Sequence, residues 1–194
     1  MSPILFVHGI WGDKKQYQSI IKFLKDKGFT KFYEFKYESR IGIHPIKAIA
    51  KELAEYVEKN VKEDNINIIA ISQGGIIALA YLKYFFPISN GKNIHINKLF
   101  TICSPHKGSL LAIILNWPGI KDLRPGSELL KDLEIFVKEG RVNIYSIYTP
   151  FDLMVFPGIM AKPIFGKTKM VLAPTHMLAS YWPSTKKFIY KNLL

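Results

Sequence analysis

Six consecutive residues, Ala70-Ile71-Ser72-Gln73-Gly74-Gly75, place a serine between small neighbours where an apolar run gives way to a helix-forming one. On a strand–turn–helix this small-x-Ser-x-Gly pattern holds the serine on strained backbone and lifts its Oγ clear of the sheet as a nucleophile. Ala70 and Gly74 are the small side chains that let so tight a turn close. The Gln73 N–H then sits at a helix N-terminus, where it can receive developing negative charge. On these residues alone, a serine that only caps the helix is an equal reading.

A serine nucleophile needs an imidazole to take its proton and a carboxylate to orient that imidazole. On this kind of turn the chain order is Ser, then acid, then His. His95, His106 and His176 follow Ser72, and only His176 also follows a well-placed acid. Asp152 lies just past a strand-like run ending at Tyr148, and His176 just past the next one, in Ala173-Pro174-Thr175-His176. Singly, each suits a turn or a cap; together, order and sheet edge make Ser72, Asp152 and His176 the candidate triad. A second oxyanion donor is expected from Val7-His8-Gly9-Ile10-Trp11-Gly12, where glycines let backbone N–H groups turn toward a shared anion. The Ile10 N–H is the choice, paired with the Gln73 N–H, while His8 precedes Ser72 and is expected to fix the loop by hydrogen bonds.

These residues must be held by elements, and the punctuation of the chain supplies them. Short β-branched or aromatic runs at Ile4–Val7, Phe32–Tyr37, Ile66–Ile71, Leu99–Cys103, Val142–Tyr148 and Lys169–Leu172 predict six strands. Between them, helices are predicted from Asp13 to Lys27, Pro45 to Lys62, Gln73 to Phe85, Ser127 to Glu139, and Thr185 to Asn192 capped by Ser184. Alternation of this kind predicts a mostly parallel sheet with helices on both faces. No linker or repeat interrupts it, so residues 1–194 read as one domain. Ile88–Asn97 reads as a polar loop, and Ser104–Arg124 breaks the alternation with two prolines and two glycines around an apolar centre, Leu110–Trp117, that reads as a short helix closing over a site or as a core helix.

Composition narrows the classes. With 48% hydrophobic and 22% charged residues, the 194-residue chain is predicted to be globular rather than disordered. Lys+Arg at 27 against Asp+Glu at 15 gives a formal net charge of +12, yet the only arginines are Arg40, Arg124 and Arg141. A lysine excess without guanidinium forks or a basic block argues against nucleic acid. Cys103 is the sole cysteine, which excludes an intrachain disulfide and a Cys-based zinc site. No nucleotide loop or metal-spaced histidine pair is seen, so no cofactor and no metal are expected. No leader-like or spanning apolar segment is visible either, and a cytoplasmic location is the expectation.

Taken together, Pro3–Gly12, the turn at Ala70–Gly75, Thr101-Ile102-Cys103-Ser104-Pro105-His106-Lys107-Gly108-Ser109, Leu123-Arg124-Pro125-Gly126-Ser127 and the later Asp152 and His176 resemble the α/β-hydrolase lipases and esterases, above all small bacterial lipases without a cap domain. The resemblance implies a minimal α/β-hydrolase fold and a Ser-His-Asp ester hydrolase. It also implies that His106 belongs to a turn beside the site and is not the base. Ala70 and the pair Cys103-Ser104 depart from the family pattern.

The triad does not choose among ester, thioester and amide, or between water and another acyl acceptor, and a non-catalytic binding protein on the same fold is a further alternative. Trp11, Leu110, Trp117, Met154 and Met177, with Ile10, Leu111, Ile114 and Phe156, could wall an apolar acyl pocket, or form core. That composition favours a small-molecule acyl ester as substrate. Lysines 14, 15, 22, 25, 27, 31 and 36 cluster around the first helix and second strand and could give weak association with an anionic membrane surface, or be a solvated face. Oligomeric state is left open by the sequence.

Overall fold

The computed structural model describes residues 1–12, 15–38, 42–86, 94–163 and 165–194. Six strands, β1 (Ile4–Val7), β2 (Phe32–Phe35), β3 (Asn65–Ile71), β4 (His95–Ile102), β5 (Ile144–Tyr148) and β6 (Lys167–Met170), form one sheet in the order β2-β1-β3-β4-β5-β6. All five pairings are parallel, so every strand ends on the same edge. The helices among the described residues are α1 (Lys15–Lys25), α2 (Ile46–Asn60), α3 (Gln73–Tyr84), α4 (Pro118–Lys121), α5 (Glu128–Lys138) and α6 (Pro183–Leu193).

The central strands β1 and β3 are largely apolar on both faces because both are covered. Leu5, Val7, Ile66, Ile68 and Ala70 pack with α2, α3 and α5, whereas Ile4, Phe6, Ile69 and Ile71 pack with α1 and α6. α3 is buried from Gln73 to Leu82 and accordingly carries apolar residues all round. α2 instead shows one apolar stripe, Ile46, Ile49, Leu53 and Val57, against the sheet.

The chain first steps outward from β1 to β2 and then returns past β1 to β3. Strand order reverses between β1 and β3, and the loops leaving such a pair diverge and open a crevice at the carboxyl edge. Ser72 ends β3 at that point.

Several predicted bounds shift. β4 begins at His95, so residues 95–97 of the expected polar loop are strand, paired with the exposed start of β3; residues 88–93 of that loop lie outside the described residues. β2 stops at Phe35, because Tyr37 turns to stack on His8. β6 sits two residues earlier than predicted and is exposed throughout, an edge strand whose Lys-Thr-Lys-Met sequence hides its pairing. Ser184 does not cap α6: Trp182 is the N-cap, and Pro183 takes the first-turn position that tolerates a missing N–H. Ser127 does cap α5, accepting from the Leu130 N–H at 3.3 Å. Asp13 lies outside the described residues. Among the described residues no helix is long and apolar enough to cross a membrane.

Candidate functional site

Ser72 stands between β3 and α3 with φ 55° and ψ −129°, a conformation side chains seldom adopt, and its hydroxyl makes no capping bond to α3. Two glycines permit the turn. A Cβ at Gly74 would lie 2.4 Å from the His8 carbonyl oxygen, and one at Gly75 2.1 Å from Ser104 Oγ. Gly9, across the crevice, would bring a Cβ to 2.7 Å from Ser72 Cβ, so the loop after β1 rests directly against the serine.

That loop is held from several sides. Gly9 N–H donates to Gln16 Oε1 at 2.8 Å, and Gly12 N–H donates to the Gly9 carbonyl at 3.0 Å. His8 is buried and stacks on Tyr37 with ring centroids 4.3 Å apart, its Nδ1 is 3.0 Å from the Gly9 carbonyl, and its Nε2 accepts from the Tyr37 N–H at 3.4 Å. These contacts fit a neutral Nδ1–H tautomer that serves the loop. Among the described residues the Ile10 N–H meets no acceptor. The Gln73 N–H, first in α3, has no acceptor within the helix by geometry.

Asp152 and His176 leave the ends of β5 and β6 and are both buried. His176 Nδ1 lies 2.7 Å from Asp152 Oδ2. The other oxygen, Oδ1, accepts the N–H groups of Met154 at 2.9 Å and Val155 at 2.8 Å, which fixes the carboxylate plane. Ser72 and His176 make no hydrogen bond to one another among the described residues. Contacts of this kind often align only when substrate binds.

Cys103 completes the neighbourhood at φ 49°, again unusual for a side-chain residue. Its Sγ, a carboxylate oxygen of Asp152 and a ring nitrogen of His176 all lie within 4.8 Å of one another. Burial, and then the negative charge of Asp152, push the thiol well above its ordinary range. The Asp152 oxygens already have three partners between them, His176 Nδ1 and the N–H groups of Met154 and Val155.

A cleft of about 250 Å³ opens on Ser72 and is lined by Ile10, Trp11, Leu111, Ala112, Leu115, Ile120, Leu123, Met154 and Val155, with Pro105 and Ser109. Trp11 and Met154 are therefore cleft residues. Leu110, Trp117 and Met177 do not line it, nor do Ile114 and Phe156. The reason is local: residues 110–113 wind as one turn of 3₁₀ helix, which buries Ala112 and turns Leu111 to the open cleft while Leu110 and Ile113 point elsewhere into solvent. Met177 likewise begins an outward-facing 3₁₀ turn, and Trp117 precedes α4 at the rim.

Two long-range contacts support this region. Arg124 donates to the carbonyls of Ala112 at 3.0 Å, Leu115 at 2.9 Å and Ile113 at 3.3 Å, pinning the 3₁₀ turn. Asp122 accepts the Ile46 N–H at 2.8 Å, capping α2 from the far side of the chain. Arg124 stands in the Leu123–Ser127 stretch that carries part of the family resemblance, but nothing in that stretch names the carbonyls it meets. His106 lies beneath, 2.9 Å from Thr101 Oγ1, and burial holds its imidazole down to about 3, hence neutral.

Comparison with known proteins agrees with this architecture. Residues 3–136 match the model of a family described as palmitoyl protein thioesterase. No curated protein matches the sequence. Among solved structures, a gene product of Listeria innocua is similar at TM-score 0.72 and 12% identity, over 100% of this chain and 94% of that one. The mature lipase BlEst2 of Bacillus licheniformis is similar at TM-score 0.69 and 14% identity, over 99% and 91%. Phospholipase PlaB of Legionella pneumophila is similar at TM-score 0.65 and 17% identity over 77% of this chain, which spans only 37% of PlaB. At such identities these likenesses are of fold, the α/β-hydrolase fold. The match over residues 3–136 spans the loop after β1, the Ser72 turn and the part of the cleft wall up to Leu123, and on it the chain belongs to the palmitoyl protein thioesterase family, hydrolases of esters and thioesters.

Proposed function

We propose that residues 1–194 act as a single serine-hydrolase domain that cleaves small acyl esters. Ser72 is the nucleophile, His176 the general base and Asp152 its orienting acid. The observation that carries the reading is the buried Nδ1–Oδ2 contact of 2.7 Å on the same sheet edge as a strained Ser72.

In this reading Ser72 Oγ attacks the acyl carbonyl carbon while His176 Nε2 takes the hydroxyl proton. The oxyanion accepts from the Ile10 and Gln73 N–H groups, a pair whose individual loss typically costs ~10²-fold or more. Collapse breaks the bond to the leaving group, which departs with the proton from His176. Water then repeats the sequence on the acyl-enzyme, releasing the acid. The cleft holds the acyl chain; its size, at the low end for ligand pockets, suits short to medium chains. No step calls on a cofactor.

A second reading, an acyl thioester substrate, is favoured by the palmitoyl protein thioesterase match and uses the same residues. Hydrolysis of p-nitrophenyl esters of graded length, run beside the matching acyl-coenzyme A thioesters, separates the two. Ser72→Ala should abolish turnover and the single fluorophosphonate label found by intact mass. Turnover surviving in Ser72→Ala, or a folded wild type with neither turnover nor label, rejects the assignment.

A further inference from the structure

Lys14 of the lysine cluster lies outside the described residues, and part of the remainder lies far from the cleft. α1 runs back against the strands, so Lys25, Lys27 and Lys31 gather at the amino end of the sheet, where the Ile4 N–H donates to the Lys31 carbonyl. Lys27 lies over the Phe23 and Tyr190 rings there, and Lys31 pairs with Glu63. Whatever that patch meets, it cannot present the site to it.

The opposite end differs in kind. Large apolar side chains stand in solvent around the cleft mouth: Ile114 is 76% exposed, Leu153 73% and Trp11 67%, with Ile113, Phe151 and Ile159 also exposed. They form one surface, because the Leu110 N–H donates to the Phe156 carbonyl, the Lys107 N–H to the Met160 carbonyl and Ser109 Oγ–H to the Met154 carbonyl, tying the two loops together. Monomeric surfaces seldom expose a contiguous patch of this sort without a partner. Cations outnumber anions along it: residues 105–121, 153–163 and 171–182 contain no Asp or Glu, whereas Lys107, Lys121 and Lys162 are exposed among them, with the half-buried Asp122 and Glu134 beside Lys121 and Lys107.

We propose that this face docks on an anionic lipid leaflet, with Ile113, Ile114 and Leu153 entering the interface and the three lysines meeting headgroups. The inference rests on the hydrolase reading for its purpose: the cleft opens in the middle of the face, so an acyl chain can pass from the leaflet to Ser72 without crossing water. A second copy of this chain is a poor occupant, since it would appose two cationic faces of proteins carrying +12 each. A protein cover of any charge would also seal the cleft.

The test is sedimentation of Ser72→Ala protein with vesicles of phosphatidylcholine alone and of equal parts phosphatidylcholine and phosphatidylglycerol. Binding should favour the anionic vesicles, fall with salt, and drop about fivefold for each of Lys107→Gln and Lys162→Gln. The double variant Ile113→Glu with Leu153→Glu should lose at least tenfold in vesicle binding, while in the Ser72 background it hydrolyses a water-soluble short ester like wild type. Lys25→Gln with Lys27→Gln removes the same net charge at the other end and should sediment as before. Failure to bind anionic vesicles, equal loss in that control, or a shift from dimer to monomer on rim substitution overturns the docking and leaves the hydrolase reading intact. Vesicle binding without ester turnover or a Ser72 label upholds the docking face and rejects the hydrolase reading instead.

Discussion

Replacing Asp152 by Asn tests the orientation argument more sharply than deleting it. The Asp152 Oδ1 accepts two backbone N–H groups, from Met154 and Val155, so only an oxygen fits at that position. An Asn amide must therefore keep its carbonyl there and turn its NH₂ toward His176 Nδ1, which now lies 2.7 Å from Oδ2. An NH₂ donates, so Nδ1 must become an acceptor and the proton moves to Nε2. That is the nitrogen that has to be bare to take the Ser72 proton. The expected loss in kcat is on the order of 10⁴-fold, or about 5 kcal/mol of transition-state stabilisation. Both backbone bonds survive, so thermal stability should stay close to wild type. Asp152→Ala orphans two buried N–H groups and should lose ~1–3 kcal/mol of stability as well. The assay is kcat on a p-nitrophenyl ester beside ¹⁵N spectra of the imidazole at neutral pH, which read the tautomer directly. An Asn variant that retains more than about a tenth of wild-type kcat, or shows Nδ1 still protonated, refutes the reasoning.

Further outcomes follow from other contacts. Gly9→Ala must push the loop several tenths of an ångström off Ser72, because its Cβ starts 2.7 Å from Ser72 Cβ; kcat should fall ~10²-fold with KM little changed, checked by initial rates on protein of normal thermal midpoint. Arg124→Leu releases three carbonyls of the cleft wall and should cost ~1–3 kcal/mol in urea unfolding, with KM rising more for longer acyl chains. Gly75→Ala drives a Cβ to 2.1 Å from Ser104 Oγ and should be strongly destabilising, and Ser104→Gly in the same chain should recover part of that loss, a non-additivity read from the double-mutant cycle. For pH, His106 is held down to about 3 by burial, against ~6.5 unfolded, so the unfolded chain binds the extra proton. Stability from this group is full above the unfolded value and is lost as pH falls from there toward 3. Between about pH 7 and 5 linkage allows at most ~1.9 kcal/mol, and the part of His106 left in solvent lowers this to about 1 kcal/mol, measurable by urea titration and absent in a tolerated His106→Asn variant.

What the sequence carries well is whatever repeats locally. β1 and β3 are legible because a strand covered on both faces must be largely apolar at successive positions, and α2 because its stripe recurs at three and four residues. Ser72, Asp152 and His176 could be ordered along the chain because each follows a strand. Contacts between distant segments leave no such trace. Nothing near Pro45 announces that Asp122 caps α2, and nothing near Ile113 announces Arg124. β6 is missed at its bounds because an exposed edge strand needs no apolar alternation. The cleft residues divide for the same reason: which of Leu110, Leu111 and Ile114 faces inward depends on a single 3₁₀ turn, and an unbroken apolar run has no phase to read.

The glycines around Ser72 show how topology and chemistry share a constraint. Reversal of strand order between β1 and β3 makes their two loops diverge, but in the proposed mechanism Ser72 and the Ile10 N–H have to converge on one acyl carbonyl. Only close approach of the β1 loop to the β3–α3 turn reconciles the two, and side chains would prevent it. Gly9 and Gly74 sit on either side of that approach, one against Ser72 and the other against the His8 carbonyl. The serine then accepts the strain, with φ 55° at a position where most residues would rather be glycine. Cys103, at the end of the next strand, adopts φ 49° beside Asp152 and His176. Strain of this size, about 1–3 kcal/mol per residue, persists only where surrounding packing enforces it, and here the packing is the core of β1, β3 and β4 on which the site stands.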